Sequence, residues 1–509
     1  MPEDWATFGV DLHLETDTGT GRRSGLERAL RDAIRSGRLA PHARLPSTRA
    51  LAADLGLSRG TVSAAFDQLV AEGFLTVRRG SGTIVSELPQ RPWPAGQERT
   101  AGQERLAGQE RLASQEMPAG QGWRDAAERV PRHDLRPGRP DVSMFPVAAW
   151  LRATRRALGN ARSEAYGYGD PRGRVELRTA LAEYLGRARG VLAAPDQIVI
   201  TSGYVQALAL LARVLGAAGT AAIAMEDPGL EFHREIVRRA GLSVLPLPVD
   251  ERGARTETLT GIPGRRASAV VVTPAHQYPT GGTMHPARRH ALAEWARTAD
   301  GLVIEDDYDG EFRYDRQPVG ALQGMAPGRV AYVGTASKTL GPALRLGWMV
   351  LPDHLVGPVA DEKRHQDNLT EVPGQLTLAQ FITSHAYDRH IRSCRLRYRR
   401  RRDLLIARLV PGPGRSLPGL RIGGIAAGLQ ALLSLPAEGP GEQELLARAA
   451  QHGLALDGLA GHWHQPGDHP QGILVGFGTP SQRAYPVALE ALARVLHAAG
   501  GRGTGATRG

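Results

Sequence analysis

Between Ala95 and Gln121 the chain repeats itself every six residues. Ala95-Gly96-Gln97-Glu98-Arg99-Thr100 is followed by Ala101-Gly102-Gln103-Glu104-Arg105-Leu106 and by Ala107-Gly108-Gln109-Glu110-Arg111-Leu112, and the pattern then decays. A unit with balanced Glu and Arg, a Gly in each copy and few apolar groups cannot bury enough surface to fold. It predicts a disordered linker over 89–132. The 509 residues are thereby divided into two parts, each of which needs its own core. With a linker of this composition the two parts need not be rigidly joined.

The first part, 20–88, has helical spacing at Leu26, Ala29, Leu30, Ala33 and Ile34, ending at Gly37. Ser47 then suits the cap of a short helix, Gly56 a break, and Ser58 the cap of a second helix that runs to about Glu72. Two short helices so joined form a helix-turn-helix, and Arg59, Thr61 and Ser63 stand near the start of the second. From Phe74 to Val85, alternating residues around Gly80-Ser81-Gly82 predict a two-stranded wing carrying Arg78 and Arg79. Gly21 to Leu88 holds eleven Arg against six Asp or Glu. Such a surplus suits phosphate contacts, and the polar helix start suits a groove of double-stranded DNA. The blander reading is a small domain that packs on another protein.

From 133 to 500, short apolar runs such as Ile198-Val199-Ile200, Val270-Val271-Val272 and Leu302-Val303-Ile304 alternate with helical segments, which indicates a buried, mostly parallel sheet. Polar clusters follow several of these runs, at the strand ends where such sheets bind ligands. One is the loop Gly334 to Gly347, which contains Lys338. Only two lysines occur, Lys338 and Lys363, in a chain that otherwise uses Arg. An ε-amine can be deprotonated and can condense with an aldehyde, which a guanidinium cannot do. Thr335, Ser337 and Arg345 surround Lys338 with hydroxyls and a guanidinium suited to a phosphate. Together they match the needs of pyridoxal 5′-phosphate. Thr201-Ser202-Gly203-Tyr204 follows a run and opens a helix whose free N–H groups suit an anion. In Glu305-Asp306-Asp307-Tyr308-Asp309 the period of two puts Asp306 and Tyr308 on one face, a carboxylate for a pyridine nitrogen and a phenol for the ring oxygen. Alone, that acidic run would equally suit a metal or a solvated loop.

Leu45-Pro46-Ser47-x-Arg49-x-Leu51-Ala52, Ser58-Arg59-x-Thr61-Val62 and Gly80-Ser81-Gly82-Thr83 resemble the DNA-binding domain of GntR-type regulators. That resemblance puts Arg49, Ser58, Arg59, Thr61, Arg79 and Gly80 at DNA-contacting positions, with His42 where the family usually has Gly. Ser202-Gly203 with Gln206, Pro279-Thr280-Gly281, Asp306-x-Tyr308 and Ser337-Lys338 with Arg345, in this order, resemble fold-type I aminotransferases. Joined, the two sets resemble MocR/GabR-type regulators, as do Pro137-Gly138-Arg139-Pro140-Asp141 and Glu226-Asp227-Pro228-Gly229. The resemblance implies an α/β chain: a winged helix-turn-helix, then a mostly parallel seven-stranded sheet and a smaller C-terminal α/β part. It implies Lys338 as the Schiff-base residue, Asp306 at the pyridine nitrogen, and Tyr308 at the ring hydroxyl. Gly203, Tyr204, Thr335, Ser337 and Arg345 would hold the phosphate, and Tyr168 would reach the site of a partner subunit in a homodimer.

The sequence departs from that pattern in three places. Leu230 stands where an aromatic usually lies against the ring, which leaves Phe232 as a substitute or the ring held by aliphatic contacts alone. Tyr278 precedes Pro279 where aminotransferases have Asn, and Gly472 to Gly478 contains no arginine for a substrate carboxylate. These departures, with the winged helix, imply a regulator that senses pyridoxal phosphate or an amino compound and has at most weak transaminase activity. A working aminotransferase with an appended DNA-binding domain is the second reading. The net charge of +11 permits a polyanionic partner. One cysteine, no basic n-region before an apolar run, and no membrane span fit a cytoplasmic protein; the most apolar stretch, Val205 to Met225, reads as a helix, a turn and a strand. The basic run Arg395 to Arg402 reads as the solvated face of a helix.

Overall fold

The computed structural model describes residues 22–35, 37–78, 82–86, 131–260, 267–314, 319–409 and 419–500. The linker expected over 89–132 therefore lies almost wholly outside the described residues, as do Arg79 and Gly80. The N-terminal part contains α1 (Arg22–Arg35), α2 (Thr48–Asp54), α3 (Arg59–Glu72), β1 (Leu75–Arg78) and β2 (Gly82–Val85). Ser47 and Ser58 cap as their sequence contexts predict: Ser47 Oγ accepts from Ala50 N at 3.2 Å and Ser58 Oγ from Thr61 N at 3.1 Å. Gly73 ends α3 at φ +88°. Leu26, Leu30, Leu51, Val62, Phe66, Leu69 and Val85 form the core between these elements. His42 has φ +67°, a left-handed conformation that glycine adopts without strain and that other residues enter at a cost.

The larger part runs β3 (His133–Asp134), α4 (Val147–Gly159), α5 (Val175–Arg189), β4 (Ile198–Thr201), α6 (Tyr204–Ala217), β5 (Ala222–Asp227), α7 (Glu231–Arg239), β6 (Ser243–Asp250) and β7 (Gly253–Ala254). It continues through β8 (Ala269–Val272), α8 (Pro286–Thr298), β9 (Leu302–Asp307), β10 (Val330–Thr335), β11 (Gly347–Val350), α9 (Asp353–Asp367), α10 (Val372–Thr383) and α11 (Ala386–Leu409). The C-terminal portion adds β12 (Arg421–Gly423), β13 (Gln430–Ser434), α12 (Glu442–Gln451), β14 (Leu454–Ala455), β15 (Asp457–Gly458), β16 (Gly472–Gly476) and α13 (Tyr485–Gly500).

The main sheet has the order β4-β11-β10-β9-β8-β5-β6-β7. Strands β6, β5, β8, β9 and β10 are parallel, while β11 is antiparallel to both β10 and β4. Eight strands stand where the resemblance implies seven; the edge pair β6-β7, closed through Asp250 and Gly253, supplies the extra one. Both faces are covered. Along β9, Leu302 and Ile304 pack with Leu208 and Leu211 of α6, and Val303 packs with Leu292 and Trp295 of α8 on the other side. The smaller sheet, β12-β13-β16-β15, is antiparallel.

The winged helix packs against the larger part: a Cβ on Gly320 would meet Glu72 Cγ at 2.6 Å, and one on Gly73 would meet His290 Cε1 at 2.7 Å. The basic run on α11 is not solvated throughout. Arg401 is buried, binds Asp141 Oδ2 at 2.7 Å and donates to the carbonyls of Phe477 and Gly478, while Arg395 donates to Glu311 O. Among the described residues no helix is long and apolar enough to cross a membrane.

Candidate functional site

Parallel strands deliver their C-terminal ends to one edge of the sheet, and a cavity of about 480 Å³ lies there. Strand β9 brings Asp306 and, just beyond its end, Tyr308. Strand β10 brings Thr335, followed by Ser337 and Lys338, and Arg345 precedes β11; all six line the cavity. Strand β4 leads through Gly203 into α6, whose first residue, Tyr204, also lines it. Gly203 has φ +119°, and a Cβ there would stand 3.5 Å from the Arg345 guanidinium. Gly347 backs onto Gly203 so closely that a Cβ would sit 2.8 Å from its Cα. The helix start and the guanidinium thus form one cradle that excludes larger side chains.

Burial pushes the Lys338 ammonium below its ordinary pKa, against the opposing charges of Asp309 and Asp306. Its Nζ donates to Gly138 O at 2.5 Å. Asp306 is 7 % exposed, and desolvation, reinforced by Asp307, pushes its carboxyl well above the usual range. The Tyr204 hydroxyl is close enough to feel Asp306 but is buried without a well-formed hydrogen bond. Thr335 Oγ1 donates to Ser337 Oγ at 2.8 Å and accepts from Ser337 N at 3.1 Å, which holds the lysine loop against its strand. The Tyr308 hydroxyl lies 3.0 Å from His276 Nδ1, which lies 2.8 Å from Asp309 Oδ2.

Tyr168 is not brought into this cavity; it is 94 % exposed. Phe232 does not take the place beside Leu230: it is 61 % exposed and is not among the residues that line the cavity. His233, one residue on, does line it. Its ring centroid is 4.6 Å from that of Tyr204, and burial, with Lys338 and Arg234 nearby, pushes its pKa down to about 3, so the ring is neutral. On α7 a shift of one residue turns a side chain by about 100°, which separates the two positions.

In the winged helix, Arg49, Ser58 and Arg59 are exposed and Thr61 is partly so. Ser58 and Thr61 are also linked through their hydroxyls at 2.8 Å, which fixes the start of α3. These four lie on or beside the helix-turn-helix, on two successive helices.

Residues 23–85 match the bacterial regulatory proteins of the gntR family, and residues 136–452 match the aminotransferase class I and II family. Over 400 residues the chain is 36 % identical to the probable rhizopine catabolism regulatory protein MocR of Rhizobium meliloti, covering 78 % of each chain. The chain belongs to the MocR-type transcriptional regulators. It is also 31 % identical over 472 residues to the HTH-type pyridoxine biosynthesis transcriptional regulator PdxR of Corynebacterium glutamicum, covering 92 % of this chain and 95 % of that one. Among solved structures, the kynurenine aminotransferase of Pyrococcus horikoshii superimposes with a TM-score of 0.66 at 26 % identity, over 74 % of this chain and 93 % of its own. The regulator therefore pairs a GntR-type DNA-binding fold with an aminotransferase fold.

Several groups in the cavity escaped the sequence reading. Glu226, from the end of β5, is buried, accepts from Thr273 Oγ1 and Gln277 Nε2, and has its pKa pushed up to about 7 by desolvation. Asp457, from β15, lines the mouth with Arg136 and Arg139, and burial raises its pKa. Glu226 stands in a motif noted above, but its neighbours in sequence could not show what it would touch across the sheet.

Proposed function

We propose that this regulator binds pyridoxal 5′-phosphate in the cavity, with Lys338 as its covalent attachment point, and controls transcription through its winged helix. The observation that carries the reading is the meeting of a desolvated lysine amine and a buried carboxylate, Asp306, in one cavity. The residues present fit the cofactor. Arg345, Thr335, Ser337 and the start of α6 at Gly203 and Tyr204 offer donors for a phosphate. Asp306, buried and desolvated, suits a protonated ring nitrogen. Tyr308, oriented by His276 and Asp309, suits the ring oxygen, and neutral His233 offers a flat face where Leu230 cannot. When bound, the cofactor would supply an aldehyde that exchanges reversibly between amines. Lys338 would hold it, and an amino compound entering past Arg136, Arg139 and Asp457 would compete for it.

A regulator fits better than an aminotransferase because β16 brings no arginine to the cavity. Leu474 instead packs against Leu432, Leu459 and Trp463. A substrate carboxylate would lack the charge-assisted partner that the resemblance to aminotransferases places near that strand. The exposed Tyr168 fits a role across a homodimer interface. Arg49, Ser58, Arg59 and Thr61, together with Arg79 and Gly80, would contact double-stranded DNA in the cytoplasm. The test is spectroscopic: wild type incubated with pyridoxal phosphate should gain a visible band that responds to added amines and is absent from Lys338→Ala. A wild type that never takes up the cofactor would refute the reading, and sustained turnover of an amino acid with a keto acid would make the chain an enzyme.

A further inference from the structure

A second cavity, of about 460 Å³, shares no lining residue with the one around Lys338. On α5, Tyr184, Arg187 and Ala188 turn toward it at the spacing of one helix face. On α11 the same spacing brings Asp388, Ile391, Arg392 and Arg395. The chain just beyond β9 adds Glu311 and Arg313, and Arg23 of α1 closes a further side.

The lining is more cationic than its acids can answer. Arg189, at the back, is held by Asp307, with Nε to Oδ2 at 2.7 Å. Arg187 is held by Asp388 through two bonds of 3.0 Å, and Arg23 by Glu27 at 2.6 Å. Glu311 is the remaining acid of the wall. It is buried, accepts from the Tyr184 hydroxyl at 3.3 Å, and has its pKa pushed up to about 7 by desolvation, so it carries only part of a charge near neutral pH.

Two guanidinia of α11 face this wall without a carboxylate of their own. Arg395 donates through Nε to the Glu311 carbonyl at 2.9 Å, which uses one of its five N–H groups. The Arg392 side chain is exposed and makes no ion pair among the described residues. Arg313 is fixed across from them by bonds from Nη1 to Ala275 O at 3.3 Å and to Thr283 Oγ1 at 2.9 Å. Tyr184 and Ile391, both buried, supply apolar ground beside the charges. An arginine with no partner is ordinarily turned to bulk water; here several converge on one hollow from different elements. A phosphate presents three acceptor oxygens to such forked donors, and a cavity of this volume suits a small ligand rather than a duplex.

We propose that this cavity is a binding site for a small phosphorylated anion, held by Arg187, Arg313, Arg392 and Arg395 and separate from the cofactor site at Lys338.

Calorimetric titration of the full-length protein with pyrophosphate, at physiological salt, tests it. Arg392→Gln combined with Arg395→Gln should weaken binding by about ten-fold or more, since each change removes a charge-assisted donor. Arg345→Gln, which disables the phosphate cradle of the first cavity, should leave that binding in place. Arg399→Gln with Arg400→Gln removes the same charge from α11 outside the cavity and should change the affinity by no more than about two-fold, because exposed charges are screened. Should the first double variant fold poorly by circular dichroism, Arg392→Gln alone, which has no ion pair to lose, should still weaken binding by about three-fold or more. Binding that vanishes in Arg345→Gln and survives in the Arg392 and Arg395 variant would place pyrophosphate in the first cavity and overturn the proposal. Equal losses from both α11 pairs would reduce it to general attraction and overturn it as well. So would no binding in any protein, or displacement of pyrophosphate by a short duplex of unrelated sequence, which would make these arginines a DNA surface.

Discussion

Replacing Glu226 by Gln should remove a pH dependence that the cavity imposes on the whole protein. The carboxyl is buried against Thr273 and Gln277, and desolvation pushes its pKa from an ordinary 4.5 to about 7. Because the folded value is the higher one, the folded chain keeps a proton that the unfolded chain has already lost. The stability tied to that proton is fully present below about pH 4.5 and is lost as pH rises through about 7. The shift corresponds to at most about 3 kcal/mol. Gln keeps an oxygen to accept from Thr273 and cannot ionise. Urea unfolding followed by tryptophan fluorescence, across that pH range, should show wild type losing up to about 3 kcal/mol relative to Glu226→Gln. Comparing the two proteins cancels the contributions of Glu305 and Glu311, which are also pushed up to about 7. Parallel pH profiles would refute the claim that the carboxyl is desolvated.

Asp141→Ala strands the buried Arg401 and should cost about 3–5 kcal/mol by denaturation, with much of that recovered when Arg401 is replaced by Met as well. Ser58→Ala removes the cap of α3 and should lower the stability of the winged helix by about 1 kcal/mol, read from its local unfolding by hydrogen exchange. Arg59→Ala should weaken operator binding and reduce the slope of log affinity against log salt by about 1, measured by titration at several salt concentrations.

Much of this architecture was legible because each signal was local. Ser47 and Ser58 cap helices through bonds spanning three residues, and the apolar runs became strands because a parallel sheet buries both faces. The lysine loop was legible because Lys338 is rare in an arginine-rich chain. What stayed hidden depended on distance in sequence. Nothing near Phe232 indicates that α7 turns it outward and His233 inward. Arg401 pairs with Asp141, 260 residues away, so its burial could not be read from a basic run. The contact of Glu72 with Gly320 was hidden for the same reason.

The central claim, that Lys338 carries the cofactor, meets its most direct test in the protein's own composition. Lys363 is the only other lysine, and it is buried against Asp367 at 2.6 Å. Protein loaded with pyridoxal phosphate should be reduced with borohydride, digested and examined by mass spectrometry. A pyridoxyl group is expected on the peptide containing Lys338 and none on the peptide containing Lys363. A label on Lys363, or loaded protein with no label on either, would contradict it.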